Sequence, residues 1–427
     1  MDHGSTIVAL SSGAPPAAIG IIRISGPGAS AAVSRLAGTL PEPRRARVAV
    51  LRDAHGTVLD EALVLWFPGP RSATGEDLAE FHCHGGRAVL DAVQGALVAL
   101  PGCRLAEAGE FTRRAFANGR IDLAEAEGLG DLLSAETELQ RAAAMANARG
   151  GVSSKVEAWR DEALRLSAQV EAALDFSDED DVSELPEGFT WNIDRLHAEL
   201  AEWLARPRSE KLGEGFRVAL AGPPNAGKST LFNALVESEA AITSPIAGTT
   251  RDAIERSVAI EGVPFTFIDT AGLRVETEDA IEQIGIERAR AELARADIVL
   301  WLGEEGEGPP GAWEIAPMSD AGDFAPKAEA RFTLSALTGE GLGTLKYALV
   351  ETARRSLPKP GEAALNARQH AALEQAAAAL ENARSLGDLL LVGEELRTAR
   401  AAFDRLVGRS TTEDMLDTLF GRFCIGK

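Results

Sequence analysis

Residues 217–230 read RVALAGPPNAGKST. A short apolar run enters a glycine-rich turn that fits G-x-x-x-x-G-K-S, with Gly222, Gly227, Lys228 and Ser229 in the required places. Glycines let backbone amides approach phosphate oxygens, the lysine ammonium neutralises them, and a serine hydroxyl at a helix start is placed to hold Mg²⁺. A strand, a phosphate-cradling loop and a helix are therefore expected in that order. A chance match would leave Lys228 as a solvated surface lysine, but two further motifs downstream weigh against it.

The first is DTAG, residues 269–272, which follows the apolar run PFTFI. A P-loop enzyme keeps there the aspartate that holds Mg²⁺ through water, although a strand-ending turn also favours Asp and Gly. The second is SPIAGTTRD, residues 244–252, whose Thr250 is suited to sense a γ-phosphate through Mg²⁺. Order and spacing match the translation-factor-like GTPases. The expected nucleotide contacts are Asn225, Ala226, Gly227, Lys228, Ser229 and Thr230 in the first loop. The second loop adds Ser244, Pro245, Ile246, Ala247, Gly248, Thr249 and Thr250, and the third adds Asp269, Thr270, Ala271 and Gly272. Ser229 and Thr250 are the expected Mg²⁺ ligands.

Guanine is normally read by N-K-x-D, whose aspartate accepts from the ring nitrogen and exocyclic amine while the lysine packs over the base. After the strand-like IVLWL this chain has Pro317, Met318, Ser319 and Asp320, so only the aspartate remains. The interval from DTAG is also short, as if a helix had been trimmed. LSALTGEG then supplies Ser335, Ala336 and Leu337 as the loop that backs the base. Asp320 as a plain surface-turn residue is the alternative.

Outward from this segment the texture changes twice. Residues 6–100 alternate short apolar runs (TIVAL, AAIGIIRISG, ALVLWFPGP) with glycine and proline, and AVLDAVQGALVAL is the clearest helix among them. Residues 111–212 are alanine-rich and charged, with Trp159, Ala163, Leu166, Val170 and Leu174 spaced for one helical face. SLPKPGE, residues 356–362, marks a linker, and HAALEQAAAALENARSL beyond it is helical again. Four segments are expected: an amino-terminal α+β domain over 1–117, helices over 118–213, an α/β P-loop domain over 214–355 inserted into the helical domain, and its second helical part over 356–427.

The chain has 427 residues, 45% apolar and 25% charged, which suits a soluble multidomain protein. Cys83, Cys103 and Cys424 are too few for a disulfide framework, MDHGSTIVALSSG does not read as a signal peptide, and no run approaches the roughly 20 apolar residues of a membrane span. A cytoplasmic location without membrane contact is expected. The formal charge of −22 repels phosphate backbones and argues against autonomous RNA binding. His82 and His84 flank Cys83 in FHCHGG; alternation puts both histidines on one face of a strand, and packing outweighs a metal site because two ligands are not enough.

NAGKST, IAGTTRD, DTAGLR and IEQIGIERA together resemble the MnmE family of tRNA wobble-uridine modification GTPases. The flanks TIVAL, GIIRISG, LWFPGP, GEDLAEFHCHGG, GEFTRRAFANGRIDLAEAEG and the closing FCIGK are similar to the same family, so the resemblance spans nearly the whole chain. It implies a dimerising amino-terminal domain that binds a tetrahydrofolate one-carbon derivative (5-formyl or methylene form), a discontinuous helical domain, and the inserted GTPase. It further implies a homodimer that joins the flavoprotein MnmG in a heterotetramer and acts on tRNA. The group added to the 5-carbon of the wobble uridine is carboxymethylaminomethyl or aminomethyl. Carried onto this sequence, the folate site is Arg23, Glu80, Arg120 and Lys427; arginines suit folate carboxylates, and a carboxylate suits the amino edge of a pterin. The family commonly has lysine at Arg120. Structural charges between packed strands are the alternative for Arg23 and Glu80.

Leu273 follows DTAG where a water-orienting glutamine stands in Ras-like proteins. The resemblance gives that work to Glu282, through a bridging water, with K⁺ held by Asn225, Ser244, Ile246 and Thr249. It also places Cys424 in the modification chemistry. Ribosome-assembly GTPases of the Era or Der kind share the nucleotide motifs but would be expected to add a basic RNA-binding module. A weakly hydrolysing nucleotide-binding scaffold is the second alternative.

Overall fold

The computed structural model describes residues 4–175, 185–237, 240–241 (backbone only), 255–270, 290–322, 324, 326–410 and 412–426. The chain divides into two compact units, Met1–Gly130 with Val407–Lys427, and Asp131–Leu406.

The first unit is built on β1 (Thr6–Leu10), β2 (Ile19–Ser25), β3 (Arg47–Arg52), β4 (Val58–Phe67), β5 (Leu78–His84) and β6 (Cys103–Leu105), ordered β3-β4-β5-β2-β1-β6. All pairs are antiparallel except β1 with β6. β4 reads VLDEALVLWF, and in its second half every other residue is buried, the pattern of a sheet covered on one face. The helices Ala29–Ala37 and Arg87–Val98 supply that cover through Val33, Leu36, Leu90, Val93 and Leu97. The tail belongs to this unit. Phe423 packs with Leu123, Leu416 and Phe420, Ile425 bridges Ala108, and the Gly426 carbonyl accepts from Ser11 Oγ at 2.8 Å. Gly426 has φ +94°, and a Cβ there would lie 2.2 Å from the Leu10 carbonyl oxygen, so glycine is required for this closure.

The second unit carries β7 (Phe216–Ala221), β8 (Ala240–Ala241), β9 (Glu255–Ile260), β10 (Val263–Asp269), β11 (Ile298–Trp301), β12 (Trp313–Ala316) and β13 (Phe332–Thr333). Their order is β13-β12-β11-β7-β10-β9-β8, parallel from β13 to β10. Every residue of β7 and β10 is buried, as expected of central parallel strands covered on both faces. Phe216, Phe265 and Phe267 form the aromatic centre of that core. Parallel neighbours are usually joined through a helix. β11 and β12 are not: residues 302–312 form only turns, which wrap the Trp301 indole, and its Nε1 donates to the Glu304 carbonyl at 2.8 Å. This is the trimmed helix that the short spacing predicts.

Helices from both sides of the α/β segment pack together. Trp159 of Gly151–Asp175 meets Trp203 of Phe189–Leu204 edge-on at 5.5 Å and Phe403 of Leu389–Val407 at 6.2 Å, and Arg160 pairs with Asp404 at 2.7 Å. Trp159, Ala163, Leu166 and Val170 are buried along one face, as their spacing predicts, with Leu174 half-buried at its end. The capping box of Asn366 and Gln369 starts the helix Ala367–Ser385. The chain is thus a multidomain protein of α/β and α type, with an amino-terminal α+β domain and a P-loop domain inserted into a discontinuous helical one.

Candidate functional site

β7 ends at Ala221, the loop turns at Gly222, and the helix Lys228–Val236 begins at its lysine. Gly222 has φ +148°, and a Cβ there would lie 3.0 Å from the Gly303 amide nitrogen where the chain leaves β11. No larger residue lets the loop and that strand exit come so close. Lys228 is buried and its Nζ donates to the carbonyls of Gly222 and Pro223 at 2.9 and 2.6 Å, which aims the ammonium along the loop. Asn225 holds a left-handed backbone, φ +63°, at the exposed crest, beside Ala226. Ser229 and Thr230 occupy the exposed first turn of the helix.

Parallel pairing sets Asp269 beside Leu220, at the same end of the sheet. From there its Oδ2 accepts from Ser229 Oγ at 2.7 Å, and Thr270 Oγ1 donates to the Leu220 carbonyl at 2.7 Å. A hydroxyl and a carboxylate within one hydrogen bond are hard oxygen donors of the kind Mg²⁺ takes, and the set fits that ion with waters and phosphates completing its shell. Two segments predicted separately are thereby brought together.

The altered base-reading segment also comes home to this site. Met318 lies against the P-loop: its Cε is 3.0 Å from where a Cβ on Gly227 would sit. Asp320 is exposed in the following turn. Ser335 is fully buried, accepting at Oγ from the Thr338 amide at 3.1 Å and fixing the loop, while Ala336 packs on the core and Leu337 is 81% exposed. All of these follow the carboxyl ends of parallel strands, where open α/β sheets bind ligands. Ser244, Pro245, Ile246, Ala247, Gly248, Thr249, Thr250, Ala271, Gly272, Glu282 and Lys427 lie outside the described residues.

In the amino-terminal unit Arg23 and Glu80 are direct partners across β2 and β5, with Arg23 Nε and Nη2 both donating to Glu80 Oε1 at 3.0 and 2.8 Å. Glu80 and Arg120 line one cavity of about 320 Å³ together with Arg44, Phe67 and Arg71. Arg120 is held by the Ser72 carbonyl at 3.1 Å. Sequence reasoning missed Arg44, Phe67 and Arg71; LWFPGP drew notice as a motif, but nothing local says that its phenylalanine faces a cavity.

The same unit holds an ion network also not foreseen. Arg114, 2% exposed, donates to Glu76, Glu110 and the Ser5 carbonyl, and Arg104 forks onto Glu110 at 2.8 and 2.6 Å. Burial pushes the Glu110 carboxyl up, but the bonds from Arg104, the Glu107 amide and Arg114 outweigh it and hold the group below its ordinary value. On β5, His82 faces Glu80 at 3.3 Å and His84 pairs with Asp60 at 2.7 Å, which raises the His84 pKa. Cys83 points into the core, where burial and then Asp60 push its thiol up to about 12. Cys424 is exposed between the buried Phe423 and the bridging Ile425.

The family model of the MnmE helical domain matches residues 123–424, and that of the GTP-binding protein TrmE N-terminus matches residues 6–120. This chain belongs to the MnmE family. It is 63% identical to the tRNA modification GTPase MnmE of Erythrobacter litoralis, over 99% of this chain and 100% of that one. It is 62% identical to that of Novosphingobium aromaticivorans, over 99% of each. Among solved structures it is similar to the G domain of the T. maritima FeoB iron transporter, at 27% identity over 32% of this chain and 98% of that one, with a TM-score of 0.24. Among the described residues no helix is long and apolar enough to cross a membrane.

Proposed function

We propose that this chain is a cytoplasmic, potassium-dependent GTP hydrolase of tRNA modification, switched on when the GTPase domains of a homodimer meet. With MnmG it adds a carboxymethylaminomethyl or aminomethyl group to the 5-carbon of the wobble uridine in certain tRNAs. The observation that carries the nucleotide part is the pairing of Ser229 Oγ with Asp269 at 2.7 Å beside a buried Lys228. Lys228 neutralises the phosphates, Ser229 and Thr250 hold Mg²⁺, and Asp269 orders its water. Glu282 orients the attacking water. Asn225, with Ser244, Ile246 and Thr249, holds K⁺ where other GTPases use an arginine finger.

The tRNA-modifying part is supported by the names that the full-length relatives carry. The amino-terminal cavity, with three arginines and one carboxylate about an aromatic ring, has the chemistry to take a tetrahydrofolate one-carbon derivative. Glu80 and Arg120 from its lining are assigned to that ligand together with Arg23, which holds Glu80, and Lys427, and Cys424 is assigned to the one-carbon chemistry. The net charge of −22 leaves basic surface for the tRNA to the partner.

Hydrolysis measured at matched ionic strength in KCl and NaCl tests the mechanism: severalfold faster turnover in K⁺ is expected, and Asn225→Ala removes most of the difference. Equal rates in the two salts reject the potassium assignment. Mass spectrometry of wobble uridines from cells lacking this gene tests the biological role, and normal modification there rejects it.

A further inference from the structure

We propose that Met318 seats the purine base of the nucleotide by packing alone, in the place where N-K-x-D has its lysine. The inference rests on the nucleotide-binding reading above and deepens it. Met318 follows β12 and has φ +58°, a left-handed backbone that few side chains adopt without a reason in their surroundings. Two bonds hold it there: the Ala321 amide donates to the Met318 carbonyl at 3.0 Å, and the Ser319 amide donates to the Leu334 carbonyl at 3.1 Å. The turn is thus tied to itself and to the residue after β13.

So fixed, the side chain reaches the P-loop. Its Cε lies 3.0 Å and its Cγ 3.9 Å from where a Cβ on Gly227 would sit, with Pro317 Cβ also at 3.9 Å. Yet Met318 is 42% exposed. One side therefore rests on the phosphate loop and the other is open, between that loop and the exposed Asp320. A nucleotide with its phosphates on the amides that follow the two prolines, residues 225–228, and its base at Asp320 passes over this thioether. Methionine is polarisable, adaptable and uncharged, so it offers any purine the same contact. Lysine offers the apolar stem but adds a charge. Affinity and selectivity are in consequence divided: Met318 contributes to the first without regard to the base's substituents, and Asp320 contributes to the second.

Equilibrium binding of a fluorescent GDP analogue to the full chain, competed with GDP, IDP and XDP, tests the division. Met318→Asn keeps a residue that tolerates the left-handed backbone but removes the apolar platform. It is expected to weaken all three ligands together by roughly three- to tenfold, with their ratios unchanged. Met318→Leu restores most of the affinity. Asp320→Asn instead changes the GDP to XDP ratio. Binding by Met318→Asn as tight as that of the unaltered chain overturns the inference, and so does a loss confined to GDP. Failure of the unaltered, folded chain to bind any of the three sinks the nucleotide assignment itself and this inference with it.

Discussion

The nucleotide site and the amino-terminal cavity are both rich in charge, but they are built on opposite plans. Around the P-loop the central parts are contiguous: a lysine held by the carbonyls of its own loop and a serine one residue on, met by Asp269 from the neighbouring strand. The cavity takes its parts from separate stretches, Arg44 before β3, Phe67 at the end of β4, Arg71 after it, Glu80 on β5 and Arg120 after the helix Glu110–Ala117. A site made of backbone dictates which residues may occupy each position, because a Cβ at Gly222 has nowhere to go. A site made of side chains constrains little locally. What it needs is that β3, β4 and β5 be neighbours.

The contrast can be broken by experiment, and the largest effect belongs to the contiguous site. Lys228→Ala removes the cation that the loop holds in place, and GTP turnover should fall by about a hundred- to a thousandfold while the melting temperature changes little. A modest loss would mean that the loop amides suffice. On the other plan, Arg114→Leu leaves the buried carboxylate Glu110 with one arginine fewer, and denaturant unfolding should show about 3 to 5 kcal/mol lost from the amino-terminal unit. Retained stability would show that Arg104 satisfies Glu110 alone.

Smaller effects sharpen the contrast. Glu80→Gln keeps shape but surrenders the charge-assisted bonds, and binding of 5-formyltetrahydrofolate, followed by calorimetry, should weaken by about 1 to 3 kcal/mol with GTP turnover untouched. Unchanged binding would make the Arg23–Glu80 pair purely structural. The slightest signal is a pH slope. Glu110 is held below its ordinary 4.5, so its share of stability is full above that value and fades as the pH falls through the lower, folded value. Unfolding followed over that acid range should therefore show stability falling with pH, and Arg104→Gln should flatten the slope. An unaltered slope would assign it to other carboxylates.

Much of the nucleotide domain was legible because its motifs carry local geometric demands. GPPNAGKST after RVAL gave strand, loop and helix in order, and the short interval before Pro317 announced the missing crossover helix between β11 and β12. The helical face from Trp159 to Val170 was legible for the same reason, since its period is set within one element. The cavity arginines 44 and 71 were not, because no period or spacing links them.

By itself the sequence determined the P-loop, the order of elements around it, the one-sided burial of the long helix and, through its motifs, the family. Only the tertiary structure decided that Ser229 meets Asp269, that Met318 lies on Gly227, that three arginines share a cavity with Glu80, and that the tail closes onto Leu10 and Ser11. The physical reason is range. Propensity, periodicity and loop geometry act over a few residues, whereas these contacts join residues brought together by strand order and core packing, which a local pattern cannot encode.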